Sequence, residues 1–144
     1  MVMFPSTCGE CGGHVGASRA SFSVAIRGEH VDIEGVSHGR CDGCGEVYLD
    51  ADTIRAADRQ AMAKLRAARG LLTPDEIHAL RAALGVSQAG LERLLGTGPK
   101  TVVRWEKGTV CQSATADRLM RLLAARPELA ALLADGVRPR VSSR

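Results

Sequence analysis

The sequence predicts a mainly α protein: a small, cysteine-stapled α/β N-terminal domain with a β-hairpin, followed by a five-helix domain that contains a helix-turn-helix. Three observations point there. Four of the five cysteines fall into two C-x-x-C pairs, Cys8/Cys11 and Cys41/Cys44, inside the first 44 residues. From Asp50 onward, apolar residues recur every three or four positions, the period of a helix packed on one face. Aromatic residues make up only 3% of the chain, so its core must come from Ala, Leu and Val, a palette that favours helices. With 45% hydrophobic and 24% charged residues the composition is globular, and 144 residues suffice for one ordinary domain or two small ones.

Between the cysteine pairs, "SFSVAIRGEHVDIEGV" alternates Phe22, Val24 and Ile26, breaks at "GEH", then alternates Val31 and Ile33. That is the pattern of a β-hairpin over 22–36 with a short Gly-containing turn. The next stretch, "DADTIRAADRQAMAKLRAARG", steps Ile54, Ala57, Ala61, Leu65 and Ala68 along one helical face. Acidic residues crowd its start and basic residues its end, as the helix dipole favours, so a helix is expected over 52–69. A domain over 1–69 that carries the cysteine pairs, a linker at 70–72, a helical domain over 73–136 and a disordered tail at 137–144 follow from these composition shifts.

The helical domain opens at Thr73 with Pro74 at the first helical position and Glu76 placed for a capping box. Ile77, Leu80 and Leu84 face one way along this helix. "SQAGLERLLG" follows, capped by Ser87, with Leu91, Leu94 and Leu95 as its apolar stripe. After a glycine turn come "KTVVRWEKG", then "SATADRLMRLLAAR" capped by Ser113, and "PELAALLADG" opening at a proline.

The cysteine pairs sit among Gly9, Gly12, Gly13, Gly43 and Gly45, residues that let a tight turn aim its backbone N–H groups at thiolates. Four thiolates form a closed tetrahedral site with no open position for water, so one structural zinc per chain is expected on Cys8, Cys11, Cys41 and Cys44. The gap between the pairs exceeds the roughly 15 to 20 residues of the commonest spacing, and an inserted hairpin accounts for the excess. The competing readings are two adventitious pairs or a redox dithiol, which requires one such pair in a βαβ setting. His14 and His38 lie near the pairs; with four thiolates available they read as surface residues. Cys111, distant in sequence, reads as an ordinary small residue.

A helix, a short glycine turn and a short basic helix make the helix-turn-helix order, here "SQAGLERLLG", "TGP", "KTVVRWEKG". Side chains in the first turn and a half of the third helix would meet base edges, and Lys100, Thr101 and Arg104 fall there. Lys100 and Arg104, four apart, are expected on one face, with Val102 and Trp105 turned inward. Arg104 can present a bidentate fork to guanine, and Lys100 can reach guanine or a phosphate. Ser87 and Gln88, at the start of the preceding helix, suit a phosphate oxygen, and Lys107 can clamp the backbone. The competing reading is a solvated basic face on a helical bundle. Charge agrees with DNA binding: residues 1–72 hold 8 Lys+Arg against 9 Asp+Glu, and residues 73–144 hold 11 against 7.

Taken together, "CGEC", "CDGCGEVYL", "LRAALGVSQAGLERLLGTGPKTVVRWEKG" and "RLLAARPELAALL" resemble the MqsA-type antitoxins, which join a YgiT-type zinc finger to a Cro/repressor-like helix-turn-helix. The resemblance runs from Cys8 to about Leu133. It implies an antitoxin of a type II toxin-antitoxin system, whose zinc domain neutralises an mRNA-cleaving toxin. It also implies a C-terminal domain that dimerises and represses its own operon at a palindromic double-stranded DNA operator. The family's zinc cysteines fall on Cys8, Cys11, Cys41 and Cys44, and its base-reading pair on Lys100 and Arg104. The arginine matches, whereas the best-known members carry asparagine, an adenine reader, where this chain has Lys100. The hairpin at 22–36 and the helix at 52–69 are the candidate toxin-facing surfaces by location. A toxin-independent regulator or coactivator, similar to the bridging-factor proteins with a zinc module and a Cro-like domain, is the alternative.

Other classes fit poorly. A closed thiolate site and the lack of a Ser-His-Asp or paired-carboxylate arrangement argue against an enzyme. No apolar run approaches the roughly 20 residues a membrane helix needs, and no basic segment precedes an apolar signal core. A cytoplasmic protein without membrane attachment is the expectation, and paired cysteines there serve metal more often than disulfides.

Overall fold

A computed structural model of the chain describes residues 3–134. The tail expected at 137–144, and the last two residues of the expected helical domain, lie outside the described residues. The chain forms two compact units, one up to Leu65 and the other from Arg66 on.

The first unit holds five short strands: β1 (Val15–Ser18), β2 (Phe22–Ile26), β3 (Glu29–Ile33), β4 (His38–Cys41) and β5 (Val47–Tyr48). Strands β2 and β3 are the expected hairpin, paired from Phe22 opposite Ile33 to Ile26 opposite Glu29. The turn is Arg27-Gly28, both with positive φ (50° and 81°), and "GEH" is mostly strand. Two central residues at positive φ make the primed turn whose twist matches a hairpin. The other three strands form an antiparallel sheet in the order β1-β4-β5, which the sequence did not suggest. Its strands are two to four residues long and carry glycine and cysteine, so no alternation could announce them.

Helix α1 (Ala51–Ala68) matches the expected span within a residue at each end. Ala57 and Ala61 are buried against Phe22 and Ile33, with Val24, Ile26, Val31, Val36, Val47 and Leu49 packed around them. Ile54, expected on that stripe, is instead 45% exposed. The small face of α1 lets the hairpin lie close, and polar ties fix it there. Gln60 brackets Glu34 by accepting its N–H at 2.7 Å and donating to its carbonyl at 2.8 Å.

The second unit contains α2 (Pro74–Leu84), α3 (Gln88–Leu95), α4 (Thr101–Lys107), α5 (Ala114–Ala125) and α6 (Leu129–Ala134). The whole chain therefore has six helices among its described residues, mainly α with an α/β N-terminal part. The capping box at Thr73 and Glu76 forms as expected, and Gly85 ends α2 in the left-handed region. α6 starts at Leu129, two residues later than the proline that was expected to open it. Leu72, Ile77, Leu80, Leu91, Val102, Trp105, Ala116, Met120 and Leu123 form one buried core. Each fully buried aliphatic side chain there contributes about 1.5–3 kcal/mol.

Residues 70–72, expected as a linker, are held by the helices that follow. Asp117 accepts from the Leu72 N–H (2.8 Å), Gln112 Nε2 (3.0 Å) and Arg121 Nε (2.7 Å). Gln112 Nε2 also donates to the Leu72 carbonyl, and Arg121 Nη2 donates to that of Gly70. No helix among the described residues is long and apolar enough to cross a membrane.

Candidate functional site

The two C-x-x-C turns are built alike. The Cys8 N–H donates to the Gly13 carbonyl and the Gly12 N–H to the Cys8 carbonyl, at 2.8 and 3.0 Å. In the second turn the Cys41 N–H donates to Glu46 and the Gly45 N–H to Cys41, at 2.9 and 3.0 Å. Gly12 and Gly45, each directly after the second cysteine of its pair, take φ of 73° and 79°, a conformation that costs other residues strain. Gly13 and Gly43 are needed for room. A Cβ on Gly13 would lie 3.0 Å from Cys41 Sγ, and one on Gly43 would lie 3.2 Å from Cys11 Sγ. Gly9, grouped with these in the sequence reading, has neither constraint.

The β1 to β4 pairing, with Val15 opposite Cys41, carries the second turn onto the first. The four sulfur atoms then lie within 4.8 Å of one another. Cys11 Sγ is 3.4 Å from Cys41 Sγ, and Cys8 Sγ is 3.6 Å from Cys44 Sγ. A tetrahedron of sulfurs at the usual zinc distance has edges of about 3.8 Å, so the cluster has the size and the donor chemistry to hold such an ion. Cys8 and Cys41 are buried, whereas Cys11 and Cys44 are exposed.

Tyr48, which sequence reasoning missed, completes this cluster. Its hydroxyl accepts from the Gly9 N–H at 2.9 Å and donates to Cys8 Sγ at 3.2 Å. That hydrogen bond, aided by backbone N–H groups, brings the Cys8 thiol down to about 6. At Cys44 the Glu46 N–H favours the thiolate, but the crowding sulfurs of Cys11 and Cys8 outweigh it and push the thiol up to about 12. Four thiols this close cannot all ionise without a counter-charge among them. No local pattern marked Tyr48, because its partner Cys8 lies 40 residues away.

The two histidines separate. His14 is exposed and meets Asp42 Oδ2 at 3.1 Å. His38, expected on the surface, is 1% exposed, with Nδ1 2.9 Å from the Val36 carbonyl and its ring edge-on to Phe22. Its position in β4 puts it on the inward face beside the hairpin, so burial follows from the strand register.

In the second unit a short turn joins α3 to α4, and α4 packs against α2 and α3. Val102 and Trp105 are buried at 0% and 5% exposure, as their spacing predicted. Ser87 caps α3 by accepting from the Gly90 N–H. Lys100 differs from expectation: it precedes α4 as its cap residue, with φ of 65°, instead of forming part of its first turn. Its carbonyl still accepts the Arg104 N–H at 3.2 Å, one helical turn on. A cleft of about 310 Å³ brings Lys100 beside Ser87, Gln88, Glu92, Pro99 and Val103, whereas Thr101, Arg104 and Lys107 lie outside its lining.

Arg104 and Lys107 are exposed on α4 and Thr101 is half-buried at its start. Among the described residues the side chains of Lys100, Arg104 and Lys107 form no ion pair. Arg81, by contrast, is committed to Glu106, at 2.6 Å through Nε and 3.2 Å through Nη2. Gln88, expected at a phosphate, donates its amide to Glu106 Oε2 at 2.8 Å. Burial would raise the Glu106 carboxyl, but the bonds from Arg81 and Gln88 hold it below its usual range. Sequence spacing gave no sign of this tie, because Arg81, Gln88 and Glu106 lie on three different helices.

A search of curated proteins finds no match to the chain. The family model described as the antitoxin component of bacterial toxin-antitoxin system, MqsA, matches residues 5–133, from ahead of the first cysteine turn to the end of α6. The chain, with its four-cysteine cluster and the helices that follow, belongs to the MqsA antitoxin family.

Proposed function

We propose that this antitoxin neutralises an mRNA-cleaving toxin through residues 1–69 and represses its own operon through residues 73–136, joined at 70–72, in the cytoplasm and as a homodimer. It acts as a binding protein and not as an enzyme. Cys8, Cys11, Cys41 and Cys44 would hold one zinc ion per chain, which on binding neutralises the thiolates and ties the two turns together. Tyr48 orients and stabilises the Cys8 sulfur from outside that shell.

On the DNA side, α4 enters the major groove with Arg104 forked on guanine and Lys100 on a base or phosphate. Thr101 adds a polar contact at the start of α4, and Lys107 takes the backbone. The Ser87 hydroxyl, whose oxygen caps α3, keeps its proton for a phosphate. Gln88 supports α4 through Glu106 and presents its amide oxygen. A two-fold dimer places two such helices one DNA turn apart, which makes the operator a palindrome. The observation that supports this reading is three cations, on and beside α4, that have no ion-pair partner among the described residues, while Arg81 and Arg121 in the same unit are neutralised by carboxylates.

The experiment is co-expression with the small reading frame beside this one, together with binding to the DNA upstream of the pair. Growth rescue and a salt-steep operator affinity are expected. Operator binding without rescue would favour the toxin-independent regulator. Arg104→Ala is expected to weaken specific binding by about 1–3 kcal/mol and to relax discrimination at one base pair per half-site. Unchanged affinity in a titration at fixed salt would remove Arg104 from base reading.

A further inference from the structure

Three of the helices in the second unit are capped by their own flanking residue. Thr73, Ser87 and Ser113 each accept an N–H of the helix they precede through the hydroxyl oxygen. Lys100, which precedes α4, carries no acceptor and makes no such bond. Val102, at the second position of α4, is 0% exposed, so its N–H has no access to water. A cap residue normally serves the second or third N–H of its helix, and a buried donor left unmet costs about 1–3 kcal/mol.

That donor is met from another helix. Glu92, in the middle of α3 and only 7% exposed, accepts the Val102 N–H through Oε1 at 3.2 Å. The backbone of the same residue holds the near end of the turn, because the Glu92 carbonyl accepts the Thr97 N–H at 3.0 Å and the Thr97 hydroxyl at 3.5 Å. One residue of α3 thus grips both the beginning of the turn and the beginning of α4. A carboxylate also suits that place electrostatically, since a helix N-terminus favours negative charge. Glu92 lines the cleft beside Lys100, but its burial keeps it from standing as an open negative charge against a polyanion.

We infer that Glu92 is a positioning residue for base reading: its carboxylate replaces the missing cap of α4 and sets that helix's placement on α3, so that Lys100 and Arg104 meet DNA in register with Ser87. The inference rests on the DNA-binding reading above. Glu92 itself touches no DNA.

The test uses the full-length, zinc-loaded chain with Glu92→Met, which keeps the volume and loses the acceptor, and Glu92→Gln, which keeps an acceptor oxygen. The DNA probe is a duplex selected by the wild-type protein from a randomised pool, set against a scrambled duplex. Hydrogen exchange at the Val102 N–H is followed alongside. Glu92→Met is expected to lower the ratio of selected to scrambled affinity about five- to tenfold and to speed Val102 exchange by a similar factor. Glu92→Gln is expected to stay within about threefold of wild type on both. Loss in Glu92→Gln as large as in Glu92→Met, or an unchanged ratio in Glu92→Met, overturns the positioning role. So does unfolding of Glu92→Met with Glu92→Gln intact, which would make Glu92 a general stability element. A wild-type chain that selects no duplex overturns the DNA-binding reading instead, and with it the role in base reading. Val102 exchange, which needs no DNA, then still decides whether Glu92 caps α4.

Discussion

The two units of this chain solve the problem of small size in opposite ways. The second unit has a continuous core in which Ile77, Leu91, Val102, Met120 and Leu123 are fully buried, enough apolar surface for a helical bundle to hold itself together. The first has two small clusters, one of Phe22, Ile33 and two alanines and one of Cys8, Val15 and Cys41. Its strands are two to five residues long, which leaves little apolar surface to set against the entropy of ordering them. The difference teaches where function can sit: a unit held by its core can give its surface cations to a partner, while a unit with so little core has four clustered sulfurs at its centre that could hold a metal ion.

The largest expected effect breaks the first unit alone. Cys41→Ser removes one of the four sulfurs that would hold the proposed zinc, and structural zinc in small domains contributes on the order of 10–16 kcal/mol to folding. Loss of the β-hairpin signals by NMR is expected, with the environment of Trp105, the only tryptophan, unchanged. Persistence of the hairpin in the variant would show that the apolar clusters suffice. The reverse experiment is Leu91→Ala, expected to destabilise the second unit by about 2–5 kcal/mol in a denaturant titration read by Trp105 fluorescence. Zinc content should not change, and a loss of zinc would mean that the units do not fail separately.

Acid sharpens the comparison. Burial raises the Asp117 carboxyl, but hydrogen bonds from Arg121, the Leu72 N–H and Gln112 prevail and hold it below its ordinary 3.8. A carboxyl lowered on folding contributes stability that is full above its unfolded value and is lost as pH falls through the folded one. Stability of the second unit, read by Trp105, should therefore hold steady above about pH 5 and decline below about pH 4. Asp117→Asn should flatten that decline while lowering stability at neutral pH. An unaltered acid limb would show that Asp117 does not carry it.

The smallest effect concerns Lys100. A side chain in the left-handed region carries strain that glycine lacks, so Lys100→Gly should stabilise the second unit by about 0.5–1 kcal/mol in thermal unfolding. If Lys100 contacts DNA, the same change should weaken operator binding, making the strain one that function retains. A gain in both would remove Lys100 from the interface.

Much of this was legible along the chain because it is written in local chemistry. The cysteine spacing with its glycines, the hairpin around Val24 and Val31, the caps at Thr73, Ser87 and Ser113, and the inward Val102 and Trp105 all depend on neighbours a few residues away. What could not be read depends on residues far apart in sequence. The β1-β4-β5 sheet is made of segments too short to alternate, and His38 is buried because β4 happens to back onto Phe22. The helical period puts Ile54 on the core stripe, yet the hairpin packs on the alanine face of α1 and leaves it exposed.

By itself the sequence determined the two kinds of unit, the four metal-competent thiols and the basic helix after a glycine turn, since residue type and spacing suffice for each. Only the tertiary structure decided which groups serve them. Tyr48 reaches Cys8 across 40 residues, Glu106 gathers Arg81 and Gln88 from two other helices, and Glu92 takes over the cap that Lys100 cannot provide. The physical reason is the same in each case: a hydrogen bond of about 3 Å between distant residues is a property of packing, and no periodicity along the chain encodes it.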